Sequence, residues 1–168
     1  MDQPPTTRIL GVDPGLNITG YAVLEIGAMR PQVCEAGVVR STPRRSLTER
    51  LREIHEGVVE VLAAWKPVSV AIEELFSHYQ RPRTAILMGH ARGVICLAAA
   101  HAGLCVASYS ATQVKRILTG SGKASKAQVQ RAVLRELSLA RLPEPADVAD
   151  ALAIALCHCY LKDKPRLR

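Results

Sequence analysis

The chain has 168 residues, of which 48% are apolar and 4% are aromatic. This length suggests one domain that can bury an aliphatic core without disulfides, and the apolar content excludes a disordered chain. The formal net charge of +7 makes a polyanionic partner plausible, while the N-terminus lacks the apolar core of a signal peptide and no uncharged stretch reaches membrane-spanning length.

The pattern of apolar residues predicts five strands and five helices. Apolar runs bounded by turn residues predict strands at 8–13, 19–26, 32–39, 68–73 and 104–109. Helical spacing and capping patterns predict helices between Ser46 and Pro67 and at roughly 83–103, 111–118, 126–138 and 146–161. The helix between the third and fourth strands implies a crossover and parallel pairing. We therefore expect a five-stranded mixed sheet flanked by helices, in an α/β or α+β domain.

One domain is expected to span residues 1–168, with frayed tails at 1–7 and 162–168. The helix at 83–103 is apolar on nearly every side, and such a helix is usually covered on both sides. We expect the sheet on one side. A partner subunit would cover the other side, unless the helix is central in a monomer.

Basic residues are concentrated in one part of the chain. Residues 75–142 contain ten Lys or Arg and a single acid, Glu136, whereas the rest contains twelve basic and fourteen acidic residues. Sixteen of the 22 basic residues are Arg, which suits bidentate phosphate contacts. This distribution predicts a nucleic-acid surface, in which residues 119–125 (TGSGKAS) form a flexible basic loop.

The five cysteines form no CxxC pair and are interpreted as small apolar side chains in a reducing cytoplasm. The run Cys157-His158-Cys159 has no second ligand pair at zinc-finger spacing, so a zinc site is not predicted.

Four acidic residues stand in apolar surroundings. Asp13 ends the first strand, Glu73 ends the fourth, and Asp147 and Asp150 share one face of the last helix. If the two strands are parallel neighbours, Asp13 and Glu73 project from the same sheet edge. Taken singly, each acid also fits a turn, a cap or a first-turn helix position. Taken together, they predict a site for two Mg²⁺ or Mn²⁺ ions about 3.5–4 Å apart, as used in phosphodiester hydrolysis.

The segments ILGVDPGLNITGYAV, AIEELF and PADVADALAIA resemble the RuvC family of Holliday-junction resolvases, in order and at compatible spacing from about residue 8 to 161. The resemblance implies a ribonuclease H-like fold. It also implies that Asp13, Glu73, Asp147 and Asp150 are the catalytic, metal-binding acids. The combination of the three motifs is far more specific than the opening strand motif, which actin-like ATPases share.

The resemblance also indicates residues that contact DNA. Phe76 falls where the family has an aromatic that meets unpaired bases, although a core position fits the sequence equally well. Lys115 and Lys126 fall where the family has functional basic residues, although each also fits a solvated helix face. Lys123 has no counterpart in the family. We predict phosphate contacts from Arg81, Arg83, Arg92, Lys115, Arg116, Lys123 and Lys126.

The function implied by the resemblance is symmetric nicking of two strands of a four-way DNA junction by a homodimer, in homologous recombination and DNA repair. A two-fold dimer with two sites matches a two-fold substrate. A branch-migration complex of the RuvA and RuvB type is the implied partner. Water activated by two ions attacks phosphorus and the 3′ oxygen leaves, which gives 5′-phosphate ends. We therefore predict a cytoplasmic endodeoxyribonuclease.

Three other functions remain open from the residues alone. An actin-like phosphotransferase or ATPase would share the opening DPG-x₃-TG pattern, but the chain is short for two such domains. A non-catalytic junction-binding module would need the basic stretch and have no use for the four acids. A nuclease of the same superfamily that cuts RNA is disfavoured only by the set of motifs.

Overall fold

The computed structural model describes residues 7–27, 29–75 and 81–162. The strands are β1 (Thr7–Asp13), β2 (Ile18–Ile26), β3 (Gln32–Arg40), β4 (Ser69–Glu73) and β5 (Cys105–Tyr109). The helices are α1 (Leu47–Trp65), α2 (Pro82–His101), α3 (Ala111–Thr119), α4 (Lys126–Glu136) and α5 (Ala146–Leu161). The expected tails lie outside the described residues, except for Thr7, which belongs to β1, and Lys162, the C-cap of α5.

The sheet has the order β3-β2-β1-β4-β5. Strand β1 pairs antiparallel with β2 and parallel with β4, and β4 pairs parallel with β5. The predicted five-stranded mixed sheet is therefore confirmed. The register places Val12 beside Ile72, so the acids that follow these two residues leave the sheet side by side.

Helices cover both faces of the sheet. Leu10, Val12 and Ile72 belong to the core between the sheet and the pair α1 and α2, whereas Ile9 and Ala71 belong to the core under α5. Side chains alternate between the two faces of a strand, so positions 13 and 73 share the face of positions 9 and 71. The strand period therefore directs both terminal acids toward α5.

Two glycines allow α5 to lie close against β1 and β2. A Cβ at Gly11 would stand 2.4 Å from the backbone oxygen of Ala151 and 2.7 Å from the Cβ of Ala155. A Cβ at Gly20 would stand 2.1 Å from the backbone oxygen of Asp147. Glycine within a strand often marks such a close backbone approach. The N-terminal half of α5 is thereby held over the ends of β1 and β2.

Of the two most apolar helices, α5 is the buried one. Its residues from Ala151 to His158 are all buried, between the sheet on one side and α3 and α4 on the other. Helix α2 is long and apolar enough, by length and composition alone, to cross a membrane, but it carries Arg83 and Arg92 and packs on the sheet. It also leaves an apolar face exposed, so it is not central within the described chain.

The capping residues behave largely as predicted. Ser46 and Ser125 form complete capping boxes with Glu49 and Gln128, whereas Ser110 only accepts a hydrogen bond from the backbone of Gln113. These caps determine where α1, α3 and α4 begin.

The loop between α3 and α4, whose flexibility stays a prediction, is linked to the end of α3 by hydrogen bonds. The Thr119 hydroxyl donates to the backbone oxygen of Lys115 at 2.7 Å, and Ala124 is buried. The backbone N–H of Ser121 also donates to the Thr119 hydroxyl. These contacts give α4 a defined starting position.

Gly11→Ala is expected to destabilise the protein by about 2 kcal/mol or more, because the added methyl group meets backbone atoms of α5 that cannot move independently. Gly27→Ala is the matched control, since a Cβ at Gly27 has no neighbour within 4 Å. Urea unfolding of both variants measures the difference. An equal free energy of unfolding for Gly11→Ala and wild type would show that α5 does not lie this close to β1.

Candidate active site

Asp13 and Glu73 meet at the end of the central parallel pair. Each is the last residue of its strand, and the preceding residues Val12 and Ile72 are register partners. Their carboxyl groups are close enough to share a hydrogen bond. The prediction that the two acids project from the same sheet edge is therefore confirmed.

Helix α5 adds the other two acids to the same place. Asp147 lies in its first turn, and its backbone oxygen lies over Gly20, which is the register partner of Asp13. Asp150 lies three residues further along and lines a cavity together with Glu73. Three separate segments of the chain thus bring four carboxyl groups together. We call this set, Asp13, Glu73, Asp147 and Asp150, the acid cluster.

The loop that follows Asp13 is fixed by hydrogen bonds. The Thr19 hydroxyl donates to the backbone oxygen of Gly15 at 2.8 Å, and Thr19 is fully buried. Arg50 of α1 donates to the backbone oxygen of Leu16 at 3.2 Å and to the Ser41 hydroxyl at 3.0 Å. The turn therefore cannot move freely, and Asp13 keeps its position at the sheet edge.

Crowding makes the acids hard to ionise together. Burial and, after it, the charges of Glu73, Asp150 and Asp147 together raise the pKa of Asp13 from 3.8 to about 8. Burial also raises the pKa of Glu73, although the hydrogen bond from Asp13 and the charges of Lys126 and Lys115 oppose this shift. Asp13 therefore holds its proton more tightly than a free carboxyl group does, because a further negative charge in this partly buried place is unfavourable.

A cavity of about 210 Å³ opens beside the acid cluster, between α3, α4 and α5. Glu73, Asp150, Lys115 and Lys126 contribute its charged groups, and Val114 and Ile154 are among the apolar residues that line it. The Lys126 ammonium lies 3.0 Å from the Asp150 carboxylate. The two lysines singled out in the sequence therefore stand at the acids themselves.

The chemistry of the acid cluster fits a hard divalent cation. Its donors are carboxylate oxygens, which Mg²⁺ and Mn²⁺ prefer, and their mutual repulsion is the effect that such a cation relieves. Among residues 7–27, 29–75 and 81–162, however, no three acidic, histidine or cysteine side chains converge on one point as a finished ion site. Asp150 instead lies against the Lys126 ammonium, and Asp13 and Glu73 lie within hydrogen-bonding reach of each other.

The other basic residues predicted to contact DNA lie at varying distance from the acid cluster. Arg81 and Arg83 are exposed at the start of α2, and Arg116 and Lys123 are exposed on α3 and on the loop after it. Arg92 instead binds protein, because its Nε donates to the backbone oxygen of Glu73 at 3.2 Å and its Nη2 donates to the Ser108 hydroxyl. Phe76 lies outside the described residues.

The cysteines follow the expectation only in part. Cys157 is buried, but Cys105 is exposed. The neighbouring His158 bonds through one ring nitrogen to the Ser69 hydroxyl at 2.9 Å and through the other to the Tyr109 hydroxyl at 2.7 Å. Its ring therefore joins α5 to β4 and β5.

Sequence reasoning missed the residues that place the acids. Gly11 and Gly20 were not singled out, although a glycine inside an otherwise apolar strand is a recognisable signal of close backbone approach. Arg50 was also missed, because its partner Leu16 lies two strands away in sequence and its partner Ser41 lies in the preceding loop without a recognisable pattern. No local pattern indicates that contact.

A five-stranded mixed sheet in this order, with helices on both faces and acids at the ends of β1 and β4, defines a ribonuclease H-like protein. The yeast mitochondrial Holliday junction resolvase Ydc2 shares this fold, with a TM-score of 0.65 at 14% identity over 93% of this chain and 79% of that one. At that identity the likeness supports the fold alone.

Closer relatives identify the family. The sequence matches the family described as crossover junction endodeoxyribonuclease RuvC over residues 9–158. It is 59% identical to the Rhodopirellula baltica protein of that name, over 94% of this chain and 88% of that protein. The structure of Thermus thermophilus RuvC in complex with Holliday junction substrate has a TM-score of 0.87 at 38% identity, over 93% of this chain and 94% of that one. The chain belongs to the RuvC family of crossover junction endodeoxyribonucleases.

The stability of the metal-free protein is expected to fall as the pH rises from about 4 to about 8. The pKa of Asp13 is raised in the folded protein to about 8, so the folded state binds this proton more tightly than the unfolded chain does. Stability is therefore lost as the proton leaves across that window. In Asp13→Asn the decline should be shallower, because the amide carries no charge at any pH.

Unfolding in urea with a chelator, at several pH values, measures this difference. Glu60→Gln, an exposed acid of α1, is the control and should keep the wild-type slope. If Asp13→Asn loses stability with pH as steeply as wild type, the carboxyl of Asp13 is not crowded by its neighbours.

Proposed function

We propose that this protein resolves four-way DNA junctions by nicking two strands symmetrically, through phosphodiester hydrolysis at the acid cluster. The observation that carries the proposal is the convergence of Asp13, Glu73, Asp147 and Asp150 from β1, β4 and α5 beside a cavity with basic residues at its rim. The family membership of the chain supports the choice of a junction over other nucleic acids.

Each acid has a role that follows from its position. Asp13 lies in the electrostatic field of Glu73 and of the two acids of α5, so its carboxylate would help to hold the two proposed Mg²⁺ or Mn²⁺ ions. Glu73 and Asp150 face the cavity and would each hold one of them, with Asp147 beside Asp13 as the fourth ligand. When bound, such ions acidify a water molecule and stabilise negative charge on phosphate oxygens.

The chain itself positions the substrate. Lys115 on α3 stands in the cavity within the field of Glu73, where it can hold a phosphate next to the acids. Arg81, Arg83, Arg116 and Lys123 are exposed and can hold phosphates further along the strand. Arg92 holds the backbone of Glu73, so it supports the site from behind and any phosphate contact by Arg92 is secondary. Phe76 is proposed to stack on an unpaired base near the crossover.

A homodimer is proposed because a two-fold junction requires two sites that cut like strands. Helix α2 offers the surface for it. Residues eleven apart on a helix lie about 20° apart around its axis, so Ile86 and Leu97 share one face, and their exposed fractions are 63% and 47%. Gly93 lies between them and is also exposed. A second copy of the chain is the proposed occupant of this apolar face.

The remaining parts of the proposal follow from the family. The 3′ oxygen leaves and a 5′-phosphate end remains, which ligation can seal directly. A branch-migration complex of the RuvA and RuvB type would deliver the junction, and the reaction would take place in the cytoplasm during recombination and repair. The enzyme is proposed to act as a single nuclease domain over residues 1–168.

Asp13→Asn is expected to bind a synthetic four-way junction with nearly wild-type affinity and to nick it about 1000-fold more slowly or worse. The reason is that a carboxylate that would hold the catalytic ions contributes several kcal/mol of transition-state stabilisation. Gel analysis of both strand pairs, with Mg²⁺, with Mn²⁺ and with a chelator, measures paired nicks. Glu60→Gln should nick normally. Wild-type cleavage by Asp13→Asn, or equal cleavage with the chelator, would refute hydrolysis at the acid cluster.

Ile86→Glu is expected to weaken the homodimer at least about tenfold, because its carboxylate would be buried in an apolar interface without a partner. Sedimentation equilibrium measures the change. Val59→Glu is the control, since Val59 is an exposed apolar residue of α1, outside the α2 face. A dimer of unchanged strength in Ile86→Glu would exclude this face, and a monomeric wild type would exclude the dimer.

A further inference from the structure

We propose that Lys126 is a built-in counter-ion of the acid cluster, which a divalent cation displaces and which then binds a DNA phosphate. This inference rests on the proposed function, because it assumes that ions and DNA meet at the acid cluster. It adds a physical link between the two binding events, in which the arrival of the ion releases a DNA-binding group.

The contact that carries the proposal is the ion pair between the Lys126 ammonium and the Asp150 carboxylate, at 3.0 Å. Of the five ion pairs within the described chain, it is the one that involves an acid of the cluster. Asp13 and Asp147 also act on the charge of Lys126, and Lys126 in turn acts on Glu73. The ammonium group of Lys126 therefore contacts Asp150 directly and interacts through its charge with the other three carboxyl groups.

Lys115 provides the contrast. It lines the same cavity and acts on the charge of Glu73, but within the described residues it forms no ion pair with the acid cluster. The two lysines thus share the electrostatic field of the acids and differ in direct contact. This difference makes Lys115 the matched control for every measurement on Lys126.

The backbone that carries Lys126 is fixed, so only its side chain needs to move. Lys126 is the first residue of α4 and lies within the capping box that Ser125 and Gln128 form, and the buried Ala124 anchors the turn before it. The ammonium group therefore stays within one side-chain length of the cavity rim after it leaves Asp150. A phosphate that approaches the acids comes within its reach.

The ion pair between Lys126 and Asp150 is weak enough for a divalent cation to displace the ammonium group. The side chains of Lys126 and Asp150 are 58% and 39% exposed. Ion pairs of this exposure change an equilibrium constant by no more than about fivefold, because solvent screens them. A divalent cation has twice the charge of the ammonium group and can bind several carboxylates at once. It therefore replaces the ammonium readily at Asp150.

The coupling works in both directions. If an ion at the acid cluster makes Lys126 available to phosphate, then bound DNA strengthens ion binding by the same factor. In the absence of ions, Lys126 is engaged with Asp150 and adds nothing to the attraction for DNA. The acids repel phosphate at the same time, so the metal-free site holds DNA weakly where the reaction takes place.

The first test is calorimetric titration of the full-length protein with Mn²⁺, in wild type, Lys126→Gln and Lys115→Gln. Lys126→Gln should bind Mn²⁺ about two- to fivefold more tightly, since the competing ammonium is gone. Lys115→Gln should change the Mn²⁺ affinity less, because it removes only part of the positive electrostatic field at the acid cluster and no ion pair. An equal increase in Mn²⁺ affinity in both variants would show that Lys126 acts only through its electrostatic field, as Lys115 does. Weaker binding in Lys126→Gln would mean that the lysine orients Asp150 for the ion, and either result overturns the proposal.

The second test is the salt dependence of binding to a synthetic four-way junction, with Ca²⁺ and with a chelator. With Ca²⁺, the slope of log K against log salt should be about 0.9 smaller in Lys126→Gln than in wild type, as for one lost phosphate contact. With the chelator the two slopes should agree. Lys115→Gln should differ from wild type to the same extent in both buffers. A difference for Lys126→Gln that is the same in both buffers, or absent from both, overturns the proposal.

Neither measurement requires cleavage. If the wild-type protein fails to nick junctions, the proposed function is lost, but the Mn²⁺ affinities still report on competition at Asp150. If the wild-type protein nicks junctions and the Mn²⁺ affinity of Lys126→Gln is unchanged, the role of Lys126 alone is refuted. Thermal melting of both lysine variants checks that the fold is intact. We expect it to be intact, because the side chain of Lys126 is exposed and that of Lys115 is half-exposed.

Discussion

The close packing of α5 against β1 and β2 is the constraint on which the rest of the structure depends. Backbone atoms of α5 occupy the space that side chains at Gly11 and Gly20 would fill. The helix residues at the contact, Ala151 and Ala155, are small as well. Any larger residue in the strands would lift the first turns of α5 away from the sheet. Asp147 and Asp150 would then lie too far from Asp13 and Glu73 to form one site.

This packing opposes the electrostatics of the site. Four carboxyl groups gather in a partly buried place, where burial and mutual repulsion hold the pKa of Asp13 near 8. Left to their charges alone, the acids would move apart. The apolar residues of α5 between Ala151 and His158, all buried, resist that movement because lifting the helix would expose them. Hydrophobic burial thus holds the four carboxyl groups together against their mutual repulsion.

The four acids could be predicted from the sequence because the patterns that mark them, strand ends and helical spacing, are local. A strand of known period that ends in an acid places that acid at a known edge, so Asp13 and Glu73 could be paired once a crossover was inferred. Helical spacing did the same for Asp147 and Asp150. The bond between Lys126 and Asp150 has no such signal, since it depends on how α4 docks onto α5. The hydrogen bonds of the loop before α4 could not be predicted for the same reason, because composition does not reveal how its polar residues bind one another.

The two faces of the sheet carry different features of the protein, and Arg92 connects them. The face under α5 holds the acid cluster, whereas α1 and α2 cover the other face and α2 presents its apolar surface outward. Arg92 extends from α2 to the end of the sheet, where it donates to the backbone oxygen of Glu73 and to the Ser108 hydroxyl. Any displacement of α2 along the sheet would therefore act on the strand end that holds Glu73. Through this one guanidinium group, the helix with the exposed apolar face is connected to the strand end that carries an acid of the cluster.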